Sequence, residues 1–580
     1  MILITTYFSY ALSIIFLAGF VTRRLFERLH LFESSTSPPA LINTFILGMI
    51  SLTTVVSFLS VVTPITPLIH LGVVILLLIS ACYHRVNLLA AIKQFFLEVK
   101  SIPYLFALGL ISVLSVILLA SGPVGYFDTG LYHAQAVKWI NEYGSVPGLG
   151  NLHHRLAFNS SWFYFSAFFD ILTFDGKTAH LVNPIAFTLG LSICFSGFYN
   201  LFTGNIAASQ VLKCFLALPI CADRMLSAVL LPTLSPDLIV VILLLYAIIL
   251  GVNYIEQQET SADFQPTDMK EKYIVLLCLS FFLPTIKLNT LPILLLPLFL
   301  LTRVENRTVK TITTSFFVGL VVLLPFLITN VILSGYLIFP FPQVDLFSFD
   351  WKIPYHHADN VRRTIKYFAI HPTPGRVDWS IADMSTLEWM QFWYKGHRKI
   401  QTFRWIIPSL FAALTFFTVC FWRRSRICLD MAAIQGIILL GVMYWFFSAP
   451  SYRFGMGWIW AFIILSLGSL TYILIQSLRL EFVSYLTRGA LVLFCVLLLN
   501  FLLLRWDTLE SVFGGPSDLF WKIRNLPEEK VRVVKIHDGF TINVPLRDRA
   551  WNADLPSTPY VKYNLQMRGS TLGEGFRIVR

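Results

Sequence analysis

Long apolar runs recur along this chain of 580 residues and constrain its fold more than any other feature. A run of about 20 apolar residues is the length of a helix that crosses the hydrocarbon core of a bilayer. Charged residues make up only 13% of the chain, against about 25% in soluble domains. Strand-like alternation within the runs is weak, which disfavours a β-barrel. The sequence therefore predicts an all-α polytopic membrane protein.

The number of spanning helices follows from the runs and their interruptions. The candidate runs are 2–20, 40–62, 64–82, 103–121, 158–174, 180–203, 206–230, 236–256, 273–301, 312–334, 401–421, 430–449, 456–477 and 487–505. Pro284 and Lys287 interrupt 273–301, which indicates a hairpin of two short helices, and Asp223 with its charged neighbours interrupts 206–230. Because these two runs are open to either interpretation, we expect about 12–15 transmembrane helices.

The distribution of basic residues predicts the topology. The net charge is +12, and the basic residues cluster in short loops between apolar runs, as Arg23, Arg24 and Arg28 do after the first run. This pattern is typical of cytoplasmic loops rather than of a nucleic-acid surface, so nucleic acid is not an expected partner. The same assignment places three large polar regions on the extracytoplasmic face: 122–157, 335–400 and 506–580.

The polar regions divide the chain into six parts. The parts are 1–121 (N-terminal transmembrane helices), 122–160 (extracytoplasmic loop with an interfacial helix), 161–334 (central transmembrane bundle), 335–400 (second extracytoplasmic loop), 401–505 (C-terminal transmembrane helices) and 506–580 (extracytoplasmic C-terminal cap). The last part alternates in VRVVKIHDGFTINVPL and contains turn residues, which predicts a small mixed cap with strands.

Asp128 is the first candidate site residue. It follows an apolar run and precedes an amphipathic helix with Tyr132, Ala136, Trp139, Ile140 and Tyr143 on one face. That face is expected to lie among lipid headgroups. The carboxylate has two interpretations. It caps the helix by accepting from the first free amides, or it is a general base that faces an acceptor hydroxyl.

A basic cluster follows where the loop re-enters the membrane. His153, His154 and Arg155, with Asn159 beyond them, suit a phosphate headgroup. The alternative is that these side chains reach the polar interface without a specific ligand. Adjacent histidines on an extended chain point apart, so the sequence predicts no metal site here, and divalent metal dependence stays open.

Three charged residues lie in or beside apolar runs: Asp237, Lys287 and Arg453. A charge at mid-membrane costs roughly 2.5–3.5 kcal/mol on insertion scales, so such residues are paired or line a polar cavity. Asp237 opens a helix, Lys287 lies at the proposed hairpin bend, and Arg453 lies on a short turn in SAPSYRFGMGW. For each of them, structural pairing and membership of a site are equally open.

The layout resembles the GT-C superfamily of integral-membrane glycosyltransferases. FDTGLYH at 127–133 resembles the acidic position in the first extracytoplasmic loop of that family, and SPD at 235–237, IKLN at 286–289 and SGYLIFP at 334–340 resemble its later blocks. FDTGLYHAQAVKWINEYGSVPGLGNLHHR, APSYRFG and LPSTPY are also similar to a group of uncharacterised bacterial polytopic proteins. The resemblance implies a multi-pass protein of the bacterial inner membrane with its site on the extracytoplasmic face.

The resemblance also implies a reaction. A polyprenyl-phosphate sugar would be the donor, and a glycan, lipid or protein the acceptor, with membrane lipids around both. Asp128 would be the catalytic base of an inverting displacement, and no cofactor is expected. The substrate-binding candidates are His133, Lys138, His153, His154, Arg155, Asn159, Asp237, Lys287 and Arg453.

This chain departs from the family pattern in two respects. Many GT-C enzymes carry a paired acidic motif in the first loop, whereas this loop carries Asp128 alone. Three helices also precede the usual first one. Both departures leave the identity of the base open, and the missing second carboxylate argues against a metal-dependent mechanism.

Two other functions fit the same residues. A transporter or flippase of a lipid-linked or anionic solute would use the membrane charges as a substrate path, but the sequence contains no internal repeat. A polysaccharide polymerase or ligase would use arginines of the second large loop. The candidates for that role are Arg362, Arg363, Arg376 and Arg398.

Overall fold

The computed structural model describes residues 2–32, 40–170, 178–260, 266–303, 309–370, 384–397, 406–423, 426–476, 480–503, 505–513, 523–537 and 539–579. Its α-helices are α1 (Ile2–Arg28), α2 (Leu41–Val62), α3 (Pro67–Tyr83), α4 (Arg85–Ser101), α5 (Pro103–Ala120), α6 (Ala134–Tyr143), α7 (Leu149–Leu152), α8 (Ser161–Phe168), α9 (Val182–Phe202), α10 (Ala208–Phe215), α11 (Ala217–Ala222), α12 (Asp237–Thr260), α13 (Pro266–Ile286), α14 (Leu295–Leu301), α15 (Val309–Ser334), α16 (Tyr355–Ile370), α17 (Thr386–His397), α18 (Ile406–Arg423), α19 (Arg426–Ser448), α20 (Tyr452–Gln476), α21 (Leu480–Leu503) and α22 (Trp506–Phe513). Short π-helices lie at Thr129–His133 and Met225–Val229, and 3₁₀-helices at His154–Ala157, Ala179–Leu181, Leu288–Leu294 and Leu572–Glu574.

Apolar helices of spanning length dominate the part of the chain that the structure describes. Nine of them are long and apolar enough to cross a membrane, namely α1, α2, α5, α9 with its preceding 3₁₀ turn, α12, α15, α19, α20 and α21. Helices α3 and α4 form a further pair, bent by 89° at their junction. The prediction of an all-α polytopic protein is confirmed at this level.

The predicted total of about 12–15 spans includes segments that are too short or too broken to count as simple spanning helices. The run 206–230 divides into α10, α11 and a π-helix. The run 273–301 breaks at Lys287, which is extended between α13 and a 3₁₀-helix. The run 158–174 gives only the eight residues of α8 among its described positions. Proline and charged residues account for the breaks at 219–224 and 284–287, because they interrupt the helical hydrogen-bond ladder or require a polar partner.

Helix α12 is the centre of the bundle. In the most apolar 18-residue stretch of this helix, 94% of the residues are buried inside the protein. The helix packs against α9, α10, α13, α19 and α20. The first two helices cross more closely than side chains would allow, because Gly19 and Gly48 bring their backbones together. A Cβ added to Gly19 would lie 1.7 Å from the Thr44 carbonyl oxygen. Such small-residue contacts are typical of helix pairs in membranes.

The polar loops lie at one end of the helix bundle, and basic residues in ion pairs lie at the other. At one end, Gly148 of the first polar loop donates to the Ile332 carbonyl near the end of α15 at 2.8 Å. At the other, Arg23 pairs with Glu271, and Arg303 pairs with Asp430. The polar loops and these basic residues thus lie at opposite ends, in agreement with the charge pattern. The assignment of each end to a side of the membrane stays a prediction.

The C-terminal region forms a strand-containing cap, as its alternation predicts. Strands β1 (Val531–His537) and β2 (Phe540–Pro545) pair antiparallel, and so do β3 (Leu565–Met567) and β4 (Phe576–Ile578). The cap rests on the first polar loop. Trp551 donates its amide to the Gly130 carbonyl at 2.8 Å, and Phe576 donates to the Pro147 carbonyl at 3.0 Å.

Candidate functional site

The Asp128 carboxylate is buried, with 6% of the residue exposed. Although the residue directly precedes the π-helix Thr129–His133, its side chain makes no capping hydrogen bond. It instead accepts from Arg453 Nη1 at 2.5 Å and lies 3.8 Å from Arg155 Nη1. The interpretation of Asp128 as a helix cap is therefore wrong, because its oxygens face two guanidinium groups.

Arg453 lies in the first turn of α20 and is held from several directions. Its Nη1 also contacts the Tyr126 hydroxyl at 2.6 Å. The next residue, Phe454, accepts a hydrogen bond from Asn289 at its carbonyl oxygen. On the other side, Tyr452 donates its hydroxyl proton to the buried Asp223 carboxylate. The start of α20 is thus fixed on both flanks of Arg453.

Lys287 and Asp237 form a second ion pair beside the first. The Lys287 ammonium contacts Asp237 Oδ1, and Ser235 Oγ donates to Asp237 Oδ2 at 3.1 Å. The Phe454 ring joins the two pairs, because Lys287 Nζ lies 4.1 Å from its centroid and Arg453 Cζ lies 4.8 Å from it. Cations this close to an aromatic ring are attracted by its electron-rich face.

Six of the ten predicted residues therefore meet at one end of the bundle. We call them the central cluster: Asp128, His133, Arg155, Asp237, Lys287 and Arg453. Each lies at or beside the end of an apolar helix or in the loop above it. The side chains of the three cations keep 20–29% of their surface exposed, so the cluster opens to the surface on the cationic side.

Electrostatics set the protonation of the loop residues in this cluster. Burial by itself raises the pKa of Asp128, but the positive charge of Arg453, followed by the effects of His133 and Arg155, lowers it from 3.8 to about 2. Burial lowers the pKa of His133 from 6.5 to about 3. At neutral pH the carboxylate is therefore ionised and the imidazole neutral, with its Nδ1 3.4 Å from Thr129 Oγ1.

Two predicted residues instead fasten parts of the protein together. The Lys138 ammonium is 3.1 Å from Asp554 Oδ1 and also donates to the carbonyls of Asn552 and Ala553 in the cap. Asn159 donates to Thr329 Oγ1 at 2.7 Å and to the Phe326 carbonyl, both on α15. Their predicted role in substrate binding has no support in these contacts, which are structural.

His153 and His154 face the cap rather than the central cluster. Their ring centroids lie 5.1 Å and 5.6 Å from that of Tyr560. Among the arginines of the second large loop, Arg362 pairs with Asp359 one turn away on α16. Arg376 and Arg398 lie outside the described residues. Within the described ranges, no group of three or more His, Cys, Asp or Glu side chains is arranged to hold a metal ion.

The prediction that the aromatic face of α6 lies among lipid headgroups is wrong. Trp139 on that face is fully buried, and Ile140 is 6% exposed. The helix packs against α8, and the Trp139 ring meets the edge of Phe576 in β4 with centroids 5.8 Å apart. The polar face is covered as well, because Gln135 donates to the Trp551 carbonyl at 3.0 Å. Protein, not lipid, therefore surrounds this helix.

Asp223 is a residue of the site region to which the sequence assigned no role. Its Oδ1 accepts from the amides of Met225 and Leu226, and its Oδ2 accepts from Tyr452 and, at 2.7 Å, from Trp460 Nε1. The available signal was a carboxylate within an apolar run, which indicates pairing or a polar cavity. The sequence could not show that its two side-chain partners, Tyr452 and Trp460, lie more than 200 positions away.

Comparisons with known proteins place the chain in one family. No curated protein and no solved structure matches it. One family model, described as a domain of unknown function (DUF8201), matches residues 1–460. That range covers most of the chain and all six residues of the central cluster, whereas the cap lies beyond it. The chain belongs to the DUF8201 family.

Proposed function

We propose that this protein is a GT-C-like glycosyltransferase whose site is the central cluster. It would move a sugar from a polyprenyl-phosphate donor to a hydroxyl of an extracytoplasmic glycan, lipid or protein. The observation that carries the proposal is the ion pair between Asp128 and Arg453, held beside Lys287 at one end of an apolar bundle.

The charge balance of the cluster suits a phosphate group. Three basic side chains, Arg155, Lys287 and Arg453, face two carboxylates, Asp128 and Asp237, while His133 is neutral. Basic groups therefore outnumber carboxylates in the cluster. Guanidinium groups bind phosphate oxygens through paired hydrogen bonds, and the partly exposed face of the cluster is cationic. A lipid-linked phosphate can reach such a site from the bilayer.

Phosphate binding would also strengthen Asp128 as a base. While it is paired with Arg453, the carboxylate is ionised but weakly basic, since its pKa is about 2. A phosphate that takes over part of the Arg453 guanidinium weakens this pairing, and burial then raises the pKa of the carboxyl group. The base thus becomes stronger when the donor is bound.

The reaction is a single displacement. The acceptor oxygen attacks the anomeric carbon of the donor and forms the new glycosidic bond. The bond between that carbon and the phosphate oxygen breaks, and its electron pair leaves with the polyprenyl phosphate, whose charge Arg155, Arg453 and Lys287 stabilise. Asp128 takes the acceptor proton. The anomeric configuration is inverted.

The test is transfer of label by the full-length protein in liposomes that contain a radiolabelled polyprenyl-phosphate sugar and a candidate acceptor. Asp128→Asn should lower transfer by about 10²–10⁴-fold, the usual contribution of a general base. Asp548→Asn is the matched control, since that cap carboxylate is 64% exposed. Transfer by Asp128→Asn at the wild-type rate would contradict the assignment. Movement of the lipid-linked sugar across the bilayer without transfer of label would instead favour a flippase.

A further inference from the structure

Four basic side chains and one tyrosine from the first loop, α16 and the cap form a second cluster. We call it the seam cluster: His153, His154, His357, Tyr560 and Lys562. The rings of His153 and His154 contact Tyr560, and His154 stacks on it with an interplanar angle of 27°. Lys562 donates its ammonium proton to the Asn151 carbonyl at 2.7 Å, which holds it against the same loop.

The seam cluster has an unbalanced positive charge. The described part of the chain contains no carboxylate in an ion pair with Lys562 or with these three histidines. Burial, followed by the positive charges of Arg155, Lys562 and His357, lowers the pKa of His154 from 6.5 to about 3. Burial likewise lowers the pKa of Lys562 to about 8. Both shifts have the direction expected where no anion compensates a partly buried cation.

One buried atom in the cluster also has an unused hydrogen-bonding position. His153 is 1% exposed, and its Nε2 has no hydrogen-bond partner among the described residues. Leaving such an atom unsatisfied costs about 1–3 kcal/mol. Tyr560, in contrast, is 44% exposed, and His154 and His357 are partly exposed. A ligand can therefore reach the cluster from the aqueous side, without passing through the bilayer.

We infer that the seam cluster is a second anion-binding site, which takes a phosphate, sulfate or carboxylate group of a water-soluble ligand. Lys562 supplies the charge, and the imidazoles of His153, His154 and His357 supply hydrogen bonds. Arg155 joins this site to the central cluster, because its charge acts on both histidines of the loop while its Nη1 lies 3.8 Å from Asp128. The identification of this ligand as the acceptor of the transfer reaction, an acidic glycan, rests on the proposed function. The anion site itself does not.

The binding test uses sulfate and the purified full-length protein in nanodiscs of zwitterionic lipid, measured by calorimetry. Lys562→Gln and His154→Gln should each weaken one sulfate-binding event at least tenfold, and Lys562→Arg should restore it. Lys530→Gln removes an exposed cap charge and should leave binding unchanged. Arg453→Gln distinguishes this event from any binding at the central cluster, since it should leave the seam event in place. Wild-type sulfate affinity in both Lys562→Gln and His154→Gln, with unchanged unfolding temperatures, would overturn the inference.

A second arm separates a soluble anion from a lipid headgroup. The titration is repeated in nanodiscs that contain phosphatidylglycerol. Unchanged sulfate affinity supports a soluble ligand, whereas loss of the seam event through competition by the anionic lipid would contradict it. Neither arm needs donor or turnover. Sulfate binding that depends on Lys562 in a protein that transfers no sugar would thus retain the site and reject the proposed function.

Discussion

Arg453 Nη1 lies 2.5 Å from Asp128 Oδ2, although the two residues are 325 positions apart in the chain. One belongs to the loop after α5 and the other to the first turn of α20, so their pairing depends on the assembly of the whole bundle. Water reaches the guanidinium more easily than the carboxylate, since 29% of the Arg453 side chain and 9% of the Asp128 side chain are exposed. An anion that arrives from the surface therefore meets the cation first.

The energy of this pair can be measured by a double-mutant cycle. Asp128→Asn leaves Arg453 without its charged partner, and Arg453→Gln leaves the buried carboxylate with Arg155 alone. The losses of stability in the two single variants should add up to more than the loss in the double variant. The difference should be about 0.5–3 kcal/mol, because residues in contact couple by that amount. The measurement is thermal unfolding in detergent. Additive effects of the two changes would show that the pair contributes nothing to stability.

The same pair predicts how stability depends on pH. The pKa of Asp128 lies at about 2 in the folded protein and at 3.8 without its surroundings. A lowered carboxyl pKa stabilises the fold above the unfolded value, and this contribution disappears as the pH falls through the folded value. The unfolding free energy of the wild type should therefore lose about 2 kcal/mol between pH 5 and pH 2 that Asp128→Asn does not lose. Parallel pH profiles of the two proteins would contradict the low pKa.

Asp223 is predicted to position Arg453 without touching the substrate. The two carboxylate oxygens of Asp223 accept hydrogen bonds from four donors. Asn replaces one of these oxygens by an amide NH₂ group, which donates instead of accepting. Either the bonds to Tyr452 and Trp460 or the bonds to the backbone amides therefore weaken. We expect Asp223→Asn to raise the KM for the lipid-linked donor about tenfold and to change kcat less. Asp170→Asn is the control, because that buried carboxylate accepts from the amides of Thr178 and Ala179. An equal rise of KM in both variants would indicate a merely structural role.

Part of the site could be predicted from the order of the apolar runs. Eight predicted runs separate Asp128 from Arg453, so alternating passage through a membrane places both residues on the same side. Three runs, at 158–174, 180–203 and 206–230, separate Asp128 from Asp237 and would place Asp237 on the other side. The structure brings Asp237 to the end where Asp128 lies, and there the run 158–174 gives only the short helix α8 among its described residues.

The remaining features depend on packing that a sequence pattern does not specify. The amphipathic pattern of α6 is the same whether lipid or protein covers it, and only the fold shows that α8 and Phe576 do. Lys138 resembled a site residue because the helical pattern puts it on the same face as Asp128, yet its partners in the structure belong to the cap. Pairings across more than 400 positions leave no local signal.

Lys562 gives the seam cluster a specific pH dependence. Its pKa of about 8 means that the ammonium is charged at pH 7 and mostly neutral at pH 9. The facing histidines, His153, His154 and His357, have pKa values below 6.5 and do not change charge in this range. Sulfate keeps its charge, so its affinity should fall about tenfold from pH 7 to pH 9. Lys562→Arg should abolish this fall, and a wild-type affinity that is constant with pH would contradict the assignment of Lys562.

Gly130 is the point where the cap meets the segment that carries Asp128. A Cβ at this position would lie 2.5 Å from Cε2 of Trp551, whereas a Cβ at Gly125 would have no heavy atom within 4 Å. Gly130→Ala should therefore push the Trp551 ring away, at a cost of about 1–3 kcal/mol for overpacking, and reduce transfer while the protein still inserts. Gly125→Ala is the matched control and should have no effect on the contact. Limited proteolysis of the cap and the transfer assay give the two readouts.

Removal of the ring tests the cause of the Gly130 effect. Trp551→Ala by itself should loosen the cap, because the ring packs on Gly130 in the π-helix that precedes α6. If the clash with the ring is the reason for the Gly130→Ala defect, the variant with both changes should be no worse than Trp551→Ala alone. The two effects would then be strongly non-additive, as expected for residues in direct contact. Additive losses of transfer would mean that the alanine methyl group disturbs the π-helix itself, and a clash with the Trp551 ring would then not explain the Gly130→Ala defect.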